Sequence, residues 1–86
     1  MDINQLIEIV KKKISVNLNI EQIEIQDKTY LHIKHSTHQK DKFHIKISIQ
    51  SDELKKMSKI DSNKKIYKVL DKEMKLYIHS LQILIS

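Results

Sequence analysis

The chain of 86 residues contains no cysteine, glycine, proline, tryptophan or arginine. Without cysteine it can form no disulfide and has no thiol nucleophile. Without glycine it has no glycine-rich phosphate loop, and a turn that needs a positive φ must use Asn or Asp. Without arginine it lacks the side chain that most often reads guanine edges, which weakens a role in sequence-specific DNA recognition.

Length and composition predict one small domain, residues 1–86. A chain of this size buries a modest core, which must come from the 40% of residues that are hydrophobic. No apolar run approaches the roughly 18 residues that a membrane span needs. The N-terminus is typical of a folded helix rather than a targeting segment. We therefore expect a cytoplasmic protein, or an organellar one if the chain is a processed form.

Hydrophobic periodicity predicts the element order α-β-β-α-α-β. Asp2 and Gln5 form a capping box at the start of the first helix. A strict alternation at Ile45, Ile47 and Ile49 gives the clearest strand. The predicted fold is α+β, with helices on one face of a three-stranded sheet whose first two strands are antiparallel. The predicted ranges are helix 3–16, strand 23–29, strand 44–50, helix 52–57, helix 63–78 and strand 81–85.

The long third helix is predicted to begin at a cap formed by Asp61 or Ser62. Glu73 interrupts its apolar face, so we place that residue at the border between core and solvent. The predicted apolar stripe of this helix is Ile66, Val69, Leu70, Met74 and Tyr77.

Four of the five histidines lie between Asp27 and Ile49, and the fifth closes the long helix. One interpretation is a metal or cluster ligand loop that His79 completes; the other is a surface loop that is rich in histidine. A His-X-X-His-X-X-His tract could also bind zinc adventitiously. His79 could equally be a helix-terminal histidine bonded to backbone. His44, on the strand face opposite the isoleucines, could be a structural partner of the loop or of a carboxylate. The four clustered histidines are His32, His35, His38 and His44.

Six lysines surround the start of the third helix, and they form either a solubilising surface or a contact for nucleic-acid phosphates or an acidic partner. No nucleophile elbow or other catalytic constellation is present, so we do not expect an enzyme. The six are Lys55, Lys56, Lys59, Lys64, Lys65 and Lys68.

The ordered residues resemble the BolA family along nearly the whole chain. The family's Asp-Glu-Ser-X-X-His-X-X-His is similar to the stretch from Asp27 to His35. Its Ser-His-Phe corresponds to Phe43-His44-Ile45, with the histidine kept. Its Ile-Tyr, Leu and Glu match Ile66, Tyr67, Leu70 and Glu73. Its closing Ile-His-Ala-Leu resembles Ile78-His79-Ser80-Leu81.

This resemblance implies a class II KH-like fold and a monothiol glutaredoxin partner that, with glutathione, shares a 2Fe-2S cluster. It implies His79 as one ligand and a loop histidine as the other, with His32 ahead of His35, and with His38 and His44 less favoured. Because the chain has no thiolate, the partner would supply the sulfur ligands. Alone, the chain is expected to be a monomer with no tightly bound metal.

The family also includes proteins described as DNA-binding regulators, so the alternative function is nucleic-acid binding through the lysine-rich third helix. Two departures count against it. The family's Arg-His-Arg is replaced here by Ser62-Asn63-Lys64, and no glycine clamp of the KH type is present. We expect at most weak, salt-sensitive and sequence-indifferent binding of DNA.

Overall fold

The structure, a computed structural model, describes residues 1–29 and 42–86. These residues form four helices and three strands. Where the sequence predicted one long helix before the last strand, the structure has two shorter helices. Among them, no helix has the length and apolar character required to cross a bilayer. The elements are α1 (Ile3–Asn17), β1 (Gln22–Asp27), β2 (Phe43–Gln50), α2 (Asp52–Lys55), α3 (Lys59–Val69), α4 (Asp71–Leu76) and β3 (Ile78–Ile85).

The three strands form one sheet in the order β1-β2-β3. β1 pairs antiparallel with β2, as predicted, and β3 pairs parallel with the other side of β2. The register places Ile25 and Ile83 on either side of Ile47. The mixed α+β fold predicted from the sequence is therefore confirmed, while the class II KH-like assignment stays a prediction.

The core lies between the helices and one face of the sheet. Ile45, Ile47 and Ile49 are buried there, as the alternation predicted, and Ile83 and Ile85 are half-buried against the same cluster. The opposite face of β2 carries His44, Lys46 and Ser48. The remaining buried members of the core are Leu6, Val10, Ile14, Ile25, Leu54, Ile66, Leu70 and Ile78.

α1 begins at the predicted capping box. The Asp2 carboxylate accepts the Gln5 backbone N–H at 2.8 Å, and the Gln5 side chain accepts the Asp2 backbone N–H at 3.0 Å. The helix ends at Asn17, whose amide donates to the Lys13 carbonyl at 2.8 Å. No described residue has a positive φ, so none of the described turns needs glycine.

Ser51 caps α2 and ties this helix to the turn that follows α1. Its hydroxyl accepts the Leu54 N–H at 3.1 Å and donates to the Asn19 carbonyl at 2.7 Å. Ser51 is fully buried, so both bonds form away from water. The helix itself ends at Lys55, two residues before the predicted end.

The prediction for the third helix was wrong at both ends. α3 begins at Lys59, because Ser58 is the cap: its hydroxyl accepts the Asp61 N–H at 3.1 Å. Ser62, predicted as a cap, is instead buried inside the helix and donates to the Lys59 carbonyl at 3.1 Å. The helix stops at Leu70, whose ψ of 19° leaves the helical region, and α4 follows as a separate short helix.

Glu73 is not at the border of the apolar face, as the sequence suggested, but inside the protein. Its side chain is 3% exposed and pairs with the Lys13 ammonium at 2.7 Å. The Lys13 side chain, which is 37% exposed, reaches from α1 to α4. The carboxylate is therefore buried because a cation from another helix meets it there.

Candidate histidine site at one end of the sheet

Two histidines and two hydroxyls meet where β1 ends and where β2 and β3 begin. We call this region the histidine end of the sheet, and it consists of Thr29, His44, His79 and Ser80. The register brings its strands together, since Asp27 lies opposite Ile45 and His44 lies opposite Ser80. The chain leaves this end after Thr29 and returns to it at Lys42.

Side-chain and backbone bonds fix the exit from β1. The Asp27 carboxylate accepts the N–H of Thr29 at 3.0 Å and its hydroxyl at 2.5 Å. The Thr29 hydroxyl oxygen in turn accepts the backbone N–H of His44 at 3.2 Å. The Lys28 N–H donates to the His44 carbonyl at 2.7 Å. The start of β2 and the residues just after β1 are therefore held as one unit.

His44 is built into this unit rather than presented to solvent. It is 4% exposed, and its Nδ1 lies 2.6 Å from the Ser80 hydroxyl, a hydrogen bond in which either group can donate according to the tautomer. Its ring centroid lies 5.0 Å from that of His79, with the ring planes tilted by 53°. This arrangement agrees with the structural interpretation of His44, as a residue that orders the strands around it.

His79 lies at an irregularity in the pairing of β2 with β3. Phe43 pairs with Ile78, but the next residue, His44, pairs with Ser80, so the pairing passes over His79. An extra residue of this kind re-aims a side chain, as a β-bulge does. His79 is exposed, whereas Ile78 beside it is buried.

The backbone on the helical side of His79 is also fixed. The Tyr77 N–H donates to the Glu73 carbonyl at 2.8 Å, and the Tyr77 carbonyl accepts the Phe43 N–H at 2.8 Å. His79, predicted to lie at the junction after the long helix, is instead the second residue of β3. Ordered backbone on both sides fixes the position from which the exposed imidazole extends, and this suits a positioned ligand.

The other predicted loop ligands, His32, His35 and His38, lie outside the described residues. Among residues 1–29 and 42–86, no group of three or more His, Asp or Glu side chains is arranged to hold a metal ion. The described part of the histidine end therefore offers one exposed imidazole, that of His79, and one engaged imidazole, that of His44.

All six lysines of the predicted cluster are exposed, and four of them line two different depressions. Lys55 and Lys59 lie beside the end of β3, whereas Lys65 and Lys68 lie between α1 and α3. A contact of these lysines with nucleic-acid phosphates or with an acidic partner stays a prediction.

The sequence matches the family model described as BolA-like protein over residues 14–86. The chain belongs to the BolA-like protein family. Its fold is similar to the BolA domain of SufE1 from Arabidopsis thaliana, with a TM-score of 0.76 and 25% identity, covering 92% of this chain and 87% of that one. It is also similar to BolA1 from Arabidopsis thaliana, with a TM-score of 0.74 and 22% identity, covering 91% of this chain and 86% of that one. No curated protein sequence matches.

The sequence did not predict two features of the histidine end of this BolA-like chain: the hydrogen bond between Ser80 and His44, and the irregularity at His79. A signal for the second was present. Ile78 and Leu81 both pack with the core, yet they are three residues apart. Because side chains in a regular strand alternate with a period of two, one extra residue between them is required.

Proposed function

We propose that this BolA-like protein is a non-enzymatic adaptor that pairs with a monothiol glutaredoxin and glutathione to share a 2Fe-2S cluster. The setting would be cluster trafficking or iron regulation. His79 would be one ligand and His32 the other, ahead of His35, with His38 and His44 less favoured. The observation that carries this proposal is the exposed imidazole of His79, held at the pairing irregularity by ordered backbone on both sides.

The donor set of the chain fits a shared cluster better than one it would hold alone. Irons of such clusters usually take thiolates, and imidazole can replace thiolate on one iron. The chain has no cysteine, so the thiolates would come from the partner and glutathione. When bound, the cluster supplies an iron–sulfur unit that can be transferred or sensed. The task of this chain is to present imidazoles in the neutral form that binds metal.

The ranking of the loop histidines follows from the fixed exit of β1. Thr29 is anchored to both Asp27 and His44. His32 comes three positions after Thr29, a length of chain that spans at most about 11 Å, whereas His35 comes six positions after it, a length that spans at most about 22 Å. A shorter tether loses less conformational freedom when its end is fixed in a complex, which favours His32.

Reconstitution tests the proposal directly. The protein is mixed with a monothiol glutaredoxin, glutathione, ferrous iron and sulfide, and visible absorption and circular dichroism are recorded. We expect a heterodimer whose spectrum differs from that of the glutaredoxin homodimer. His79→Ala should abolish the difference, and because that side chain is exposed the variant should fold normally. His32→Ala should weaken the difference, and the matched control His38→Ala should leave it unchanged.

An unchanged heterodimer spectrum with His79→Ala would show that the ligand assignment is wrong. A reduction by His38→Ala as large as that by His32→Ala would overturn the ranking of the loop histidines. Binding of duplex DNA with nanomolar, sequence-selective affinity at physiological salt would instead favour the regulator function.

A further inference from the structure

β3 is an outer strand of the sheet and carries no acidic residue and no lysine from Ile78 to Ile85. Charged residues make up 31% of the whole chain, so a strand of eight residues without them is unusual here. Proteins normally protect edge strands with charges or proline, because unpaired backbone groups invite another strand. β1, the other outer strand, carries Glu24 and Asp27.

The hydrogen bonds of Ser86 show which backbone N–H and C=O groups of β3 face away from β2. The Ser86 N–H donates to the Ile49 carbonyl at 2.9 Å, and the Ser86 carbonyl accepts the Ser51 N–H at 3.0 Å, so both groups of Ser86 face β2. In a strand, successive residues turn their N–H and C=O groups to opposite sides. The backbone groups of Ile85, and by the same alternation those of Ile83, therefore face away from the sheet.

Leu81 supports this assignment and marks one end of the open edge. Its carbonyl should face the same way as those of Ile83 and Ile85, and it accepts a hydrogen bond from the Tyr67 hydroxyl of α3 at 3.4 Å. That contact covers the edge at Leu81. The stretch beyond it, towards Ile85, is where a further strand could pair.

A cavity lies beside this same stretch. Its volume is about 330 Å³, and apolar side chains from α2, the turn after it and β3 line its wall. Two lysines also line the cavity, and both are exposed. The wall includes Leu54, Met57, Ile83 and Ile85, and the two lysines are Lys55 and Lys59.

We propose that the outer edge of β3 and this cavity bind an extended peptide as a fourth strand. Apolar side chains of the peptide would enter the cavity, and acidic residues flanking them would meet Lys55 and Lys59. Backbone pairing supplies affinity in strand addition, and the pockets and charges beside the strand select the sequence. A nucleic-acid backbone has no N–H groups to pair with this edge, which is why we favour a peptide.

This peptide site is separate from the histidine end. His79 and Ile85 are six residues apart in β3, so about 20 Å of strand lies between them. The proposal does not depend on cluster binding, and a failure of one leaves the other standing.

Fluorescence anisotropy with a defined probe tests the site. The probe is an N-terminally fluorescein-labelled, amidated peptide, Thr-Ile-Thr-Val-Thr-Asp-Glu-Asp, and a second peptide carries three lysines in place of its acidic residues. Ile85→Pro removes the outward N–H without removing a bond to β2, a position where an edge strand tolerates proline. The control Ile85→Ala loses the same side chain but keeps the N–H.

We expect Ile85→Pro to weaken binding of the acidic probe at least about tenfold relative to Ile85→Ala, because backbone pairing is lost and the ring obstructs the edge. The double variant Lys55→Glu/Lys59→Glu, which leaves β3 intact, should reverse the preference between the acidic and lysine-containing peptides. That arm keeps the test decisive if Ile85→Pro fails to fold.

Four results would overturn the proposal. The first is equal binding by Ile85→Pro and Ile85→Ala when both are folded, and the second is no preference of the wild type for the acidic probe. The third is displacement of the probe by a short DNA duplex at physiological salt, which would assign the groove to nucleic acid. If sedimentation shows a wild-type dimer that Ile85→Pro dissociates and the probe cannot compete with, the occupant is a second copy of the chain.

Discussion

Lys13 and Glu73 form one ion pair, but removing Lys13 should destabilise the protein far more than removing Glu73. Glu73 is 3% exposed, so its carboxylate cannot reach water if the lysine is removed. Its second oxygen, Oε1, is buried with no hydrogen-bond partner among the described residues, so the ammonium is its main compensation. Lys13 is 37% exposed and can turn its ammonium to solvent if the glutamate is removed.

The structure sets the size of the effect. Removing one partner of a fully buried ion pair costs about 3–5 kcal/mol, whereas an exposed pair contributes about 0–1 kcal/mol. Because Lys13 is partly exposed, we expect Lys13→Met to lower the free energy of unfolding by about 2 kcal/mol, or the melting temperature by roughly 8–16 °C. Glu73→Met leaves no buried charge and should change the free energy by less than about 1 kcal/mol in either direction.

Urea denaturation followed by circular dichroism measures both variants. Lys75→Met is the matched control, since Lys75 pairs with Asp71 in α4 and those side chains are 73% and 66% exposed. We expect it to cost less than about 0.5 kcal/mol. The reasoning is refuted if Lys13→Met is no more destabilising than Lys75→Met, or if Glu73→Met is the more destabilising member of the pair.

Three further predictions test the fold. Ile47→Ala should lower the free energy of unfolding by about 2–5 kcal/mol in urea titrations because the side chain is fully buried, whereas Ile60→Ala, at a side chain 68% exposed, should change it by less than about 0.5 kcal/mol. Ser51→Ala should cost about 1–2 kcal/mol in the same titrations, because it removes the cap of α2 and the bond to the Asn19 carbonyl. Deletion of His79 should leave a folded protein that unfolds cooperatively on heating. Deletion of Gln82 should abolish cooperative thermal unfolding, because it moves Ile83 and Ile85 off the core face. Equal damage by the two deletions would contradict the irregularity assigned to His79.

The sequence predicted the elements whose side-chain pattern is local and regular. α1 has apolar residues at helical spacing and a capping box, and β2 alternates isoleucine with polar residues over its whole length. Both patterns report burial of one face, which is the strongest determinant of secondary structure. The predicted bounds of these two elements differ from the observed bounds by one residue.

The sequence failed where a distant partner decides the outcome. Glu73 is buried because Lys13, sixty residues earlier in the chain, reaches it. Ser58 and Ser62 are both chemically able to cap a helix, and packing of α3 selects Ser58. The hydrogen bond between His44 and Ser80 joins residues on different strands, so no local sequence pattern predicts it.

The irregularity at His79 determines both the exposure of His79 and the direction of the backbone groups in the rest of β3. Tyr77 bonds to β2 through its carbonyl, and Ser86 bonds to β2 and to the residue after it through both backbone groups, although Ser86 comes nine positions after Tyr77, an odd offset. A regular strand cannot do this, because its backbone groups alternate sides at every residue. One extra residue restores the match: it leaves the side chain of His79 exposed, keeps Leu81 and Ile83 on the core face, and turns their backbone groups to the outer edge. Deleting His79 would give a regular strand with the same core face, while deleting Gln82 would move Ile83 and Ile85 to the polar face. The exposed position of His79, our proposed ligand, and the outward backbone groups of β3, our proposed peptide edge, thus have one structural cause.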